Sequence, residues 1–310
     1  MKTKWIITAF CLFAFLVITA GVVVSQHEFQ ASSAPRATQH FHVTGIVRGV
    51  EPNGQTMLVQ HQDIPGFMPS MTMPFSLHGT NALRGFAAGD RIRFELTVTK
   101  DDSWISQIEK FGTGSEPPTR APRQFGENPL EPGEMTPDFA LTDQNGKTFH
   151  LADFRGKAVL ITFIYTRCPL PNYCPLMTRN FSVLQENLTK EFAGRFHLVS
   201  ISFDSEHDTP EVMKSYAELF TKDDSSWTFA SGNKEQIATV ASQFGLVYLP
   251  EAGAYTHDLR TAQIAPDGRL VHIWRSNVWR PDEIQQRVAE VMHEASFASV
   301  RHTSSTLPNK

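Results

Sequence analysis

Residues 5–24 form an uninterrupted segment without charged side chains near the N-terminus, preceded by Lys2 and Lys4. About 20 such residues are enough to cross the hydrocarbon core of a bilayer as a helix. The lysines are then expected on the cytoplasmic side and the rest of the chain on the exported side. We therefore assign 1–25 to a single membrane anchor, or alternatively to a signal peptide that is cleaved, and 26–40 to a polar tether.

Short β-like runs follow the tether and are separated by turn residues, for example at 52–54. Their lengths and their alternation of apolar and polar residues predict five strands. The predicted strands are 42–50, 56–60, 72–77, 91–98 and 104–111. This pattern favours a small all-β, OB-like barrel at 41–111. The Pro- and Gly-rich residues 112–134 predict a semi-rigid linker.

The second half of the chain has a different pattern. Residues 158–165 are an unbroken apolar run, as expected for a strand buried on both faces. Helical and strand patterns then alternate, which predicts an α/β domain of thioredoxin-like fold at 135–295 and a tail at 296–310. The predicted helices are 175–188, 210–220, 234–244 and 281–295, and the predicted strands are 196–203, 227–230, 260–265 and 269–275.

Composition narrows the range of functions. The chain has 41% hydrophobic and 19% charged residues, which is typical of a globular protein. Its formal net charge is -4 and it contains no long run of Lys or Arg, so we expect no nucleic-acid partner. Three Cys are too few for a disulfide-dense scaffold, which directs attention to their chemistry.

A dense methionine cluster lies within the predicted barrel, just after His61. Met71 and Met73 alternate along one predicted strand, so their side chains share a face. One interpretation is core filling, since Met is an adaptable apolar residue. The other is a soft metal site, because two thioethers and an imidazole select Cu(I) over harder divalent ions.

The stretch HQDIPGFMPSMTMPFSL resembles the metal-binding strand region of CusF, a periplasmic copper and silver chaperone, and its relatives. The resemblance covers about 41–111. It implies Cu(I) binding by His61, Met71 and Met73. Met68 stands where that family has a Trp that caps the metal, so Met68 is either a third thioether ligand or a lid.

Two cysteines follow the buried strand of the second domain, in the segment from Cys168 to Cys174, and Pro175 opens the next predicted helix. The positive end of a helix dipole favours thiolates, which are nucleophiles and metal ligands. A structural disulfide that closes a small loop is the alternative.

Four segments around these cysteines resemble the Sco/SenC family, which assists copper insertion into the binuclear CuA centre of cytochrome c oxidase. They are TPDFALTDQNGKTFHLADFRGK, VLITFIYTRCP, ISFDSEHDTPEVMKSY and HDLRTAQIAPDGRLV. The resemblance implies a thioredoxin-like fold that binds copper through Cys168, Cys174 and His257, with Asp204 and Asp208 nearby. The family usually places three residues between its cysteines. Here there are five, which predicts either a wider chelating loop or sulfurs that are splayed apart and favour disulfide chemistry.

Together these features predict a periplasmic metallochaperone in the bacterial inner membrane, or a soluble periplasmic protein after signal cleavage. Its cargo is expected to be Cu(I), with tolerance for Cu(II). The expected acceptor is the CuA-bearing subunit of cytochrome c oxidase or another periplasmic copper or dithiol protein. The alternatives are a thiol-disulfide oxidoreductase, in which Cys168 attacks and Cys174 resolves, and a copper-resistance buffer.

Overall fold

The structure is a computed structural model that describes residues 38–50, 55–77, 85–113, 129–251 and 253–304, with side chains to 294. The predicted membrane segment, nearly all of the predicted tether and the middle of the predicted linker lie outside the described residues. Within the described part of the chain, no helix is both long and apolar enough to cross a membrane.

The N-terminal half folds into an antiparallel sheet of five strands. They are β1 (Gln39–Val50), β2 (Thr56–His61), β3 (Met71–Ser76), β4 (Asp90–Val98) and β5 (Ser103–Thr113). Their order across the sheet is β3-β2-β1-β4-β5. A parallel bridge from Leu77 to Ile105 joins the two edges, so the sheet curls on itself. We refer to this unit as the N-terminal sheet domain, and its strands lie within a few residues of the predicted ones.

The inner face of β2 and β3 is built from directly opposed side chains, because opposite residues of an antiparallel pair point to the same face. Along β3, Met71, Met73 and Phe75 are buried and alternate with less buried residues. Their partners on β2 are His61, Val59 and Met57, all buried. The predicted sharing of a face by Met71 and Met73 is therefore confirmed, and His61 lies directly opposite Met71.

The C-terminal domain contains nine strands and four α-helices among its described residues. The strands are β6 (Ala140–Thr142), β7 (Thr148–His150), β8 (Ala158–Ile164), β9 (Phe196–Ser202), β10 (Trp227–Ala230), β11 (Tyr248–Glu251), β12 (Ala254–His257), β13 (Arg260–Ile264) and β14 (Leu270–Arg275). The helices are α1 (Cys174–Phe192), α2 (Pro210–Ala217), α3 (Lys234–Gln243) and α4 (Pro281–Ser304).

A central sheet of order β10-β9-β8-β13-β14 organises this domain. Strands β8, β9 and β10 are parallel, β13 runs antiparallel to its neighbour β8, and the edge strand β14 is antiparallel to β13. Every residue of β8 is buried, as its unbroken apolar sequence predicts. With its packed helices, this mixed sheet has the thioredoxin-like fold. The loops that leave the carboxyl ends of β8 and β9 therefore emerge side by side.

Three parts of the C-terminal domain were not predicted. Residues 129–134, which the sequence placed in the linker, bind this domain through hydrogen bonds from Leu130 N to Gln243 O (2.9 Å) and Gly133 N to Leu270 O (2.8 Å). The other two are the hairpin of β6 and β7 and the hairpin of β11 and β12, whose strands have only three or four residues each and carry little hydrophobic pattern.

Gly45 permits the close approach of β1 to β2. A Cβ at this position would lie 2.6 Å from Val59 Cγ1, 2.8 Å from Gln60 O and 3.2 Å from the Cα of His61. We expect Gly45→Ala to lower the free energy of unfolding by about 1–3 kcal/mol, since strand β2 must shift. Gly49→Ala, where nothing lies within 4 Å, is the matched control and should change it by less than about 0.5 kcal/mol. Equal effects in urea denaturation would contradict this packing argument.

His197 should make the free energy of unfolding depend on pH. Burial, aided by the charge of Lys157, lowers its pKa to about 3, while the unfolded chain takes up this proton near pH ~6.5. The stabilisation is therefore complete above that pH and is lost as the pH falls towards 3. His197→Gln should flatten the fall in unfolding free energy between about pH 6.5 and pH 4, by up to ~1.4 kcal/mol per pH unit. The exposed control His293→Gln should keep the wild-type slope, and a wild-type slope in His197→Gln would refute the assignment.

Candidate metal centre

The turn after β8 presents Cys168, and two buried carboxylates hold it. Asp208 accepts hydrogen bonds from the backbone N–H (2.9 Å) and the hydroxyl (2.6 Å) of Thr166. Asp204 accepts from Nε (3.1 Å) and Nη2 (2.6 Å) of Arg167. Both carboxylates lie in the loop after β9, next to β8 in the sheet, so the parallel topology brings them to the turn. Their position near the cysteines agrees with the resemblance stated from the sequence.

Cys168 and Cys174 are both free thiols. Cys174 is the first residue of α1 and is fully buried beneath Cys168, which is partly exposed. Their sulfurs and a ring nitrogen of His257 all lie within 4.8 Å of one another. The five intervening residues therefore do not splay the sulfurs apart, and two sulfurs and an imidazole converge on one point.

His257 ends β12, and its ring orientation is fixed by its surroundings. Its Nδ1 lies 2.8 Å from the carbonyl oxygen of Asp258. A carbonyl only accepts, so Nδ1 carries the proton and Nε2 is left for the sulfurs. Tyr165 meets the imidazole edge-on at 5.6 Å between ring centroids, and Phe203 lies at 4.9 Å. These rings hold the imidazole in place and reduce its contact with water.

The two thiols differ in acidity. Burial opposes ionisation of Cys168, but hydrogen bonds from Cys174 and His257, together with the charge of His257, hold its pKa well below the usual range. Burial, reinforced by the neighbouring Cys168 thiolate, raises the pKa of Cys174 well above that range. One sulfur is therefore a ready nucleophile or ligand, and the second keeps its proton until it binds a cation or forms a bond to another sulfur.

The surroundings of His61, in the N-terminal sheet domain, show whether this second group of residues suits a metal ion. Its Nδ1 lies 2.7 Å from the carbonyl oxygen of Gln62, which leaves Nε2 with a free electron pair. This Nε2 is buried and has no hydrogen-bond partner among the described residues. Burial lowers the pKa of His61, which keeps the imidazole neutral, although the backbone of Gln62 opposes this. A buried, neutral and unpaired imidazole nitrogen opposite Met71 fits a soft metal ion.

One small cavity lies between the two domains and joins these residues. Its walls contain sulfur atoms from both domains and several aromatic rings. They comprise Met68, Met71, Met73, Tyr165, Cys168, Pro169, Leu170, Tyr173, Tyr255 and His257. The structure thus brings the three methionines, Cys168 and His257 around one space, while His61 and Cys174 stand behind its walls.

Sequence reasoning missed the aromatic residues of this cavity. Tyr255 lies two residues before His257 on β12, and its hydroxyl donates to Asp204 (3.2 Å). Strand alternation would have placed Tyr255 on the same face as His257 if β12 had been recognised. Tyr173 is the residue before α1 and gives no comparable signal.

The C-terminal part of this chain is similar to several known proteins. A SCO2-like protein of Rickettsia felis is 33% identical over 36% of this chain and 51% of the relative. The SCO1 protein homolog of Bacillus subtilis is 29% identical over 43% of this chain and 69% of the relative. The chain thus spans about half to two thirds of the length of such curated relatives.

Among solved structures, ScoI of Bradyrhizobium japonicum with copper bound is 31% identical, with a TM-score of 0.43. The match covers 51% of this chain and 99% of that one.

Family profiles assign both domains. Residues 40–110 match "Copper binding periplasmic protein CusF" and residues 127–293 match "SCO1/SenC". Both resemblances stated from the sequence are confirmed, and together they support copper as the ligand of this chain. Because the second match covers more than half of the 310 residues, the chain belongs to the SCO1/SenC family.

Proposed function

We propose that this protein is a copper chaperone that binds Cu(I) at two donor sets and passes it from one to the other. The first set is His61, Met71 and Met73, with Met68 as a third thioether. The second is Cys168, Cys174 and His257. The observation that carries the proposal is the convergence of two free thiols and an imidazole within 4.8 Å at the end of β8. Soft, low-coordinate donors of this kind hold Cu(I) and tolerate Cu(II).

The chemistry of the donors gives the transfer a direction. Thioethers carry no charge and no proton, so they capture the ion without a dependence on pH. Thiolates are anionic and bind Cu(I) more strongly, and the low pKa of Cys168 makes one of them available at neutral pH. The ion therefore moves from the N-terminal sheet domain to the cysteines rather than back.

The rest of the proposal concerns location and acceptor. We infer that the apolar segment 5–24 holds the protein at the inner membrane or directs its export, and that both domains act in the periplasm. The final acceptor is the CuA-bearing subunit of cytochrome c oxidase or another periplasmic copper protein. We interpret the curled N-terminal sheet as a barrel of OB type.

A thiol-disulfide oxidoreductase is the second candidate, and the asymmetry of the thiols favours it. A partly exposed thiol of low pKa beside a buried thiol of high pKa is the arrangement of an attacking and a resolving cysteine. Cys168 would form a mixed disulfide with the partner, and Cys174 would release the reduced partner as the internal disulfide closes. That disulfide needs a separate dithiol reductant to complete a cycle.

Copper stoichiometry tests the chaperone proposal. The full chain, reduced and kept anaerobic in detergent, should bind two Cu(I) ions at saturation. Met71→Leu/Met73→Leu and Cys168→Ser/Cys174→Ser should each lose one, because each removes the sulfur donors of one set. Copper per protein, measured after competition with a Cu(I) chelator, checks this. Exposed Met135 allows Met135→Leu as a control that should keep both ions, and two ions retained in the Cys variant would remove copper from the C-terminal domain.

Thiol reactivity tests the acid-base asymmetry. A thiol with a depressed pKa keeps its thiolate as the pH falls below the ordinary range of about 8.5. The third cysteine, Cys11, lies in the apolar segment 5–24 and is replaced by serine for this experiment. In the copper-free Cys11→Ser background, iodoacetamide should therefore label Cys168 rapidly at pH 6–7 and Cys174 far more slowly. His257→Asn should move the onset of labelling to higher pH, because the charged partner is lost. Labelling of Cys168 only above about pH 8 in the parent protein would contradict the assignment.

The two candidate functions separate at His257. Copper binding at the second set needs its imidazole as a ligand, whereas thiol exchange needs the imidazole only to keep the pKa of Cys168 low. A His257→Asn variant that loses one bound Cu(I) but turns over a model disulfide at the wild-type rate once the pH is above the ordinary thiol pKa of about 8.5 would show that both chemistries reside in the site. If the wild-type protein does not turn over the model disulfide, the oxidoreductase candidate is eliminated.

A further inference from the structure

The two donor sets share the interdomain cavity described above. Met68, Met71 and Met73 form the wall from the N-terminal sheet domain, and Cys168 and His257 lie in the wall from the C-terminal domain. The cavity volume is about 20 Å³. Since roughly 10–15 Å³ is needed for one water molecule, this space suits a single ion without its hydration shell.

The edge strand β3 is fixed to the hairpin that carries His257. The backbone N–H of Thr72 lies 3.2 Å from Thr256 Oγ1 and 3.3 Å from Glu251 Oε2. The Thr256 hydroxyl also donates to that Glu251 oxygen, at 2.6 Å. Thr72 lies between Met71 and Met73, so these contacts set the position of both thioethers relative to the imidazole.

The loop between Cys168 and Cys174 is also fixed to the N-terminal sheet domain. The Ser103 hydroxyl donates to Asn172 Oδ1 (2.6 Å), and Asn172 Nδ2 donates back to the Ser103 carbonyl (3.0 Å); both residues are buried. The Tyr173 hydroxyl donates to the carbonyl oxygen of Pro74 on β3. From behind, Asn277 Nδ2 donates to the carbonyl of Asn172 (2.7 Å). The loop between the cysteines therefore serves as a docking element.

We propose that docking of the N-terminal sheet domain creates a single interdomain copper site, in which one Cu(I) is bound at once by methionine thioethers and by the cysteine and histidine donors. This site rests on the proposed function, because it uses the same two donor sets. The interdomain site adds a third bound state, in which one ion is shared by both donor sets. When a second equivalent of Cu(I) is added, each donor set binds one ion of its own.

Such a site gives a transfer route in which copper is never free. The ion stays Cu(I) throughout, so no electron is exchanged. Bonds from copper to the Met71 and Met73 sulfurs break as bonds to the Cys168 and Cys174 sulfurs form, and the proton of the Cys174 thiol leaves to solvent. Each exchange replaces one ligand of the ion while the others hold it, which lowers the barrier relative to full release and recapture.

X-ray absorption at the copper edge distinguishes the donors when methionine is replaced by selenomethionine. The full chain, loaded with one equivalent of Cu(I), should show both a copper-sulfur and a copper-selenium shell. Met71→Leu/Met73→Leu should lose most of the selenium shell and keep the sulfur shell. These spectra report on coordination directly and need no acceptor protein.

A docking variant separates the shared site from two independent sites. Asn172→Ala/Glu251→Ala/Thr256→Ala removes interdomain hydrogen bonds and changes no proposed ligand. We expect at least a twofold loss of selenium shell amplitude with the sulfur shell unchanged, which also shows that the C-terminal domain is folded. The matched control, Asn187→Ala/Glu235→Ala/Thr239→Ala, alters helical residues that do not line the cavity and should keep the wild-type spectrum.

The outcomes separate this inference from the proposed function. One bound Cu(I) with a sulfur shell and no selenium shell in the wild type would overturn the shared site and leave the chaperone intact. A selenium shell that persists undiminished in the docking variant would overturn it as well, since capture would then not need docking. Failure of the wild type to bind any Cu(I) would overturn the chaperone proposal itself.

Discussion

Asp204 and Asp208 are almost fully buried, and the turn that presents Cys168 is bound to both of them. A buried carboxylate without partners costs several kcal/mol, so the donors on Thr166 and Arg167 cannot move away without a large penalty. Asp204 also accepts a hydrogen bond from Tyr255, on the hairpin that ends at His257. One carboxylate thus joins the two elements that carry the proposed sulfur and nitrogen ligands, and the site loses its geometry if either element shifts.

This rigid frame suits both of the chemistries proposed for the thiols. The frame keeps the sulfurs close and leaves them unequal in acidity, which suits both coordination of a soft cation and attack on a disulfide. The difference lies in what reaches Cys168. With thioethers on the opposite wall of a cavity of about 20 Å³, a small soft ion fits in this space, whereas the disulfide of a partner protein is too large for it.

Much of the fold could be predicted from the sequence because the relevant signals are local. The alternation at Met71 and Met73 and the unbroken apolar run of β8 each report directly on burial. The cysteines could be recognised as site residues because they lie between a predicted strand and a predicted helix. His257 did not, because a lone histidine carries no positional signal, and it was found only through the family resemblance.

The docking of the two domains could not be predicted in this way. Its contacts join residues far apart in the chain, such as Ser103 with Asn172 and Thr72 with Thr256. Serine, asparagine and threonine are common on any surface, so their types do not indicate which partner they meet. The hairpin that receives β3 has strands of four residues, too short for a periodicity to be recognised. The wider spacing of the cysteines is visible in the sequence. That the intervening loop contacts the N-terminal sheet domain can be seen only in the folded structure.

The energetics of the interface differ from those of the site behind it. The hydrogen bonds between the domains involve neutral hydroxyl, amide and backbone groups, apart from the Glu251 carboxylate, and water satisfies such groups nearly as well. Each neutral hydrogen bond then contributes only about 0.5–1.5 kcal/mol net, so these bonds add little to the cost of separating the domains. The carboxylates that hold the Cys turn have no such freedom, because their hydrogen bonds remain buried in the C-terminal domain when the domains part. A rigid thiolate site covered by a separable thioether wall is what a carrier needs if it must both receive an ion under cover and release it to another protein.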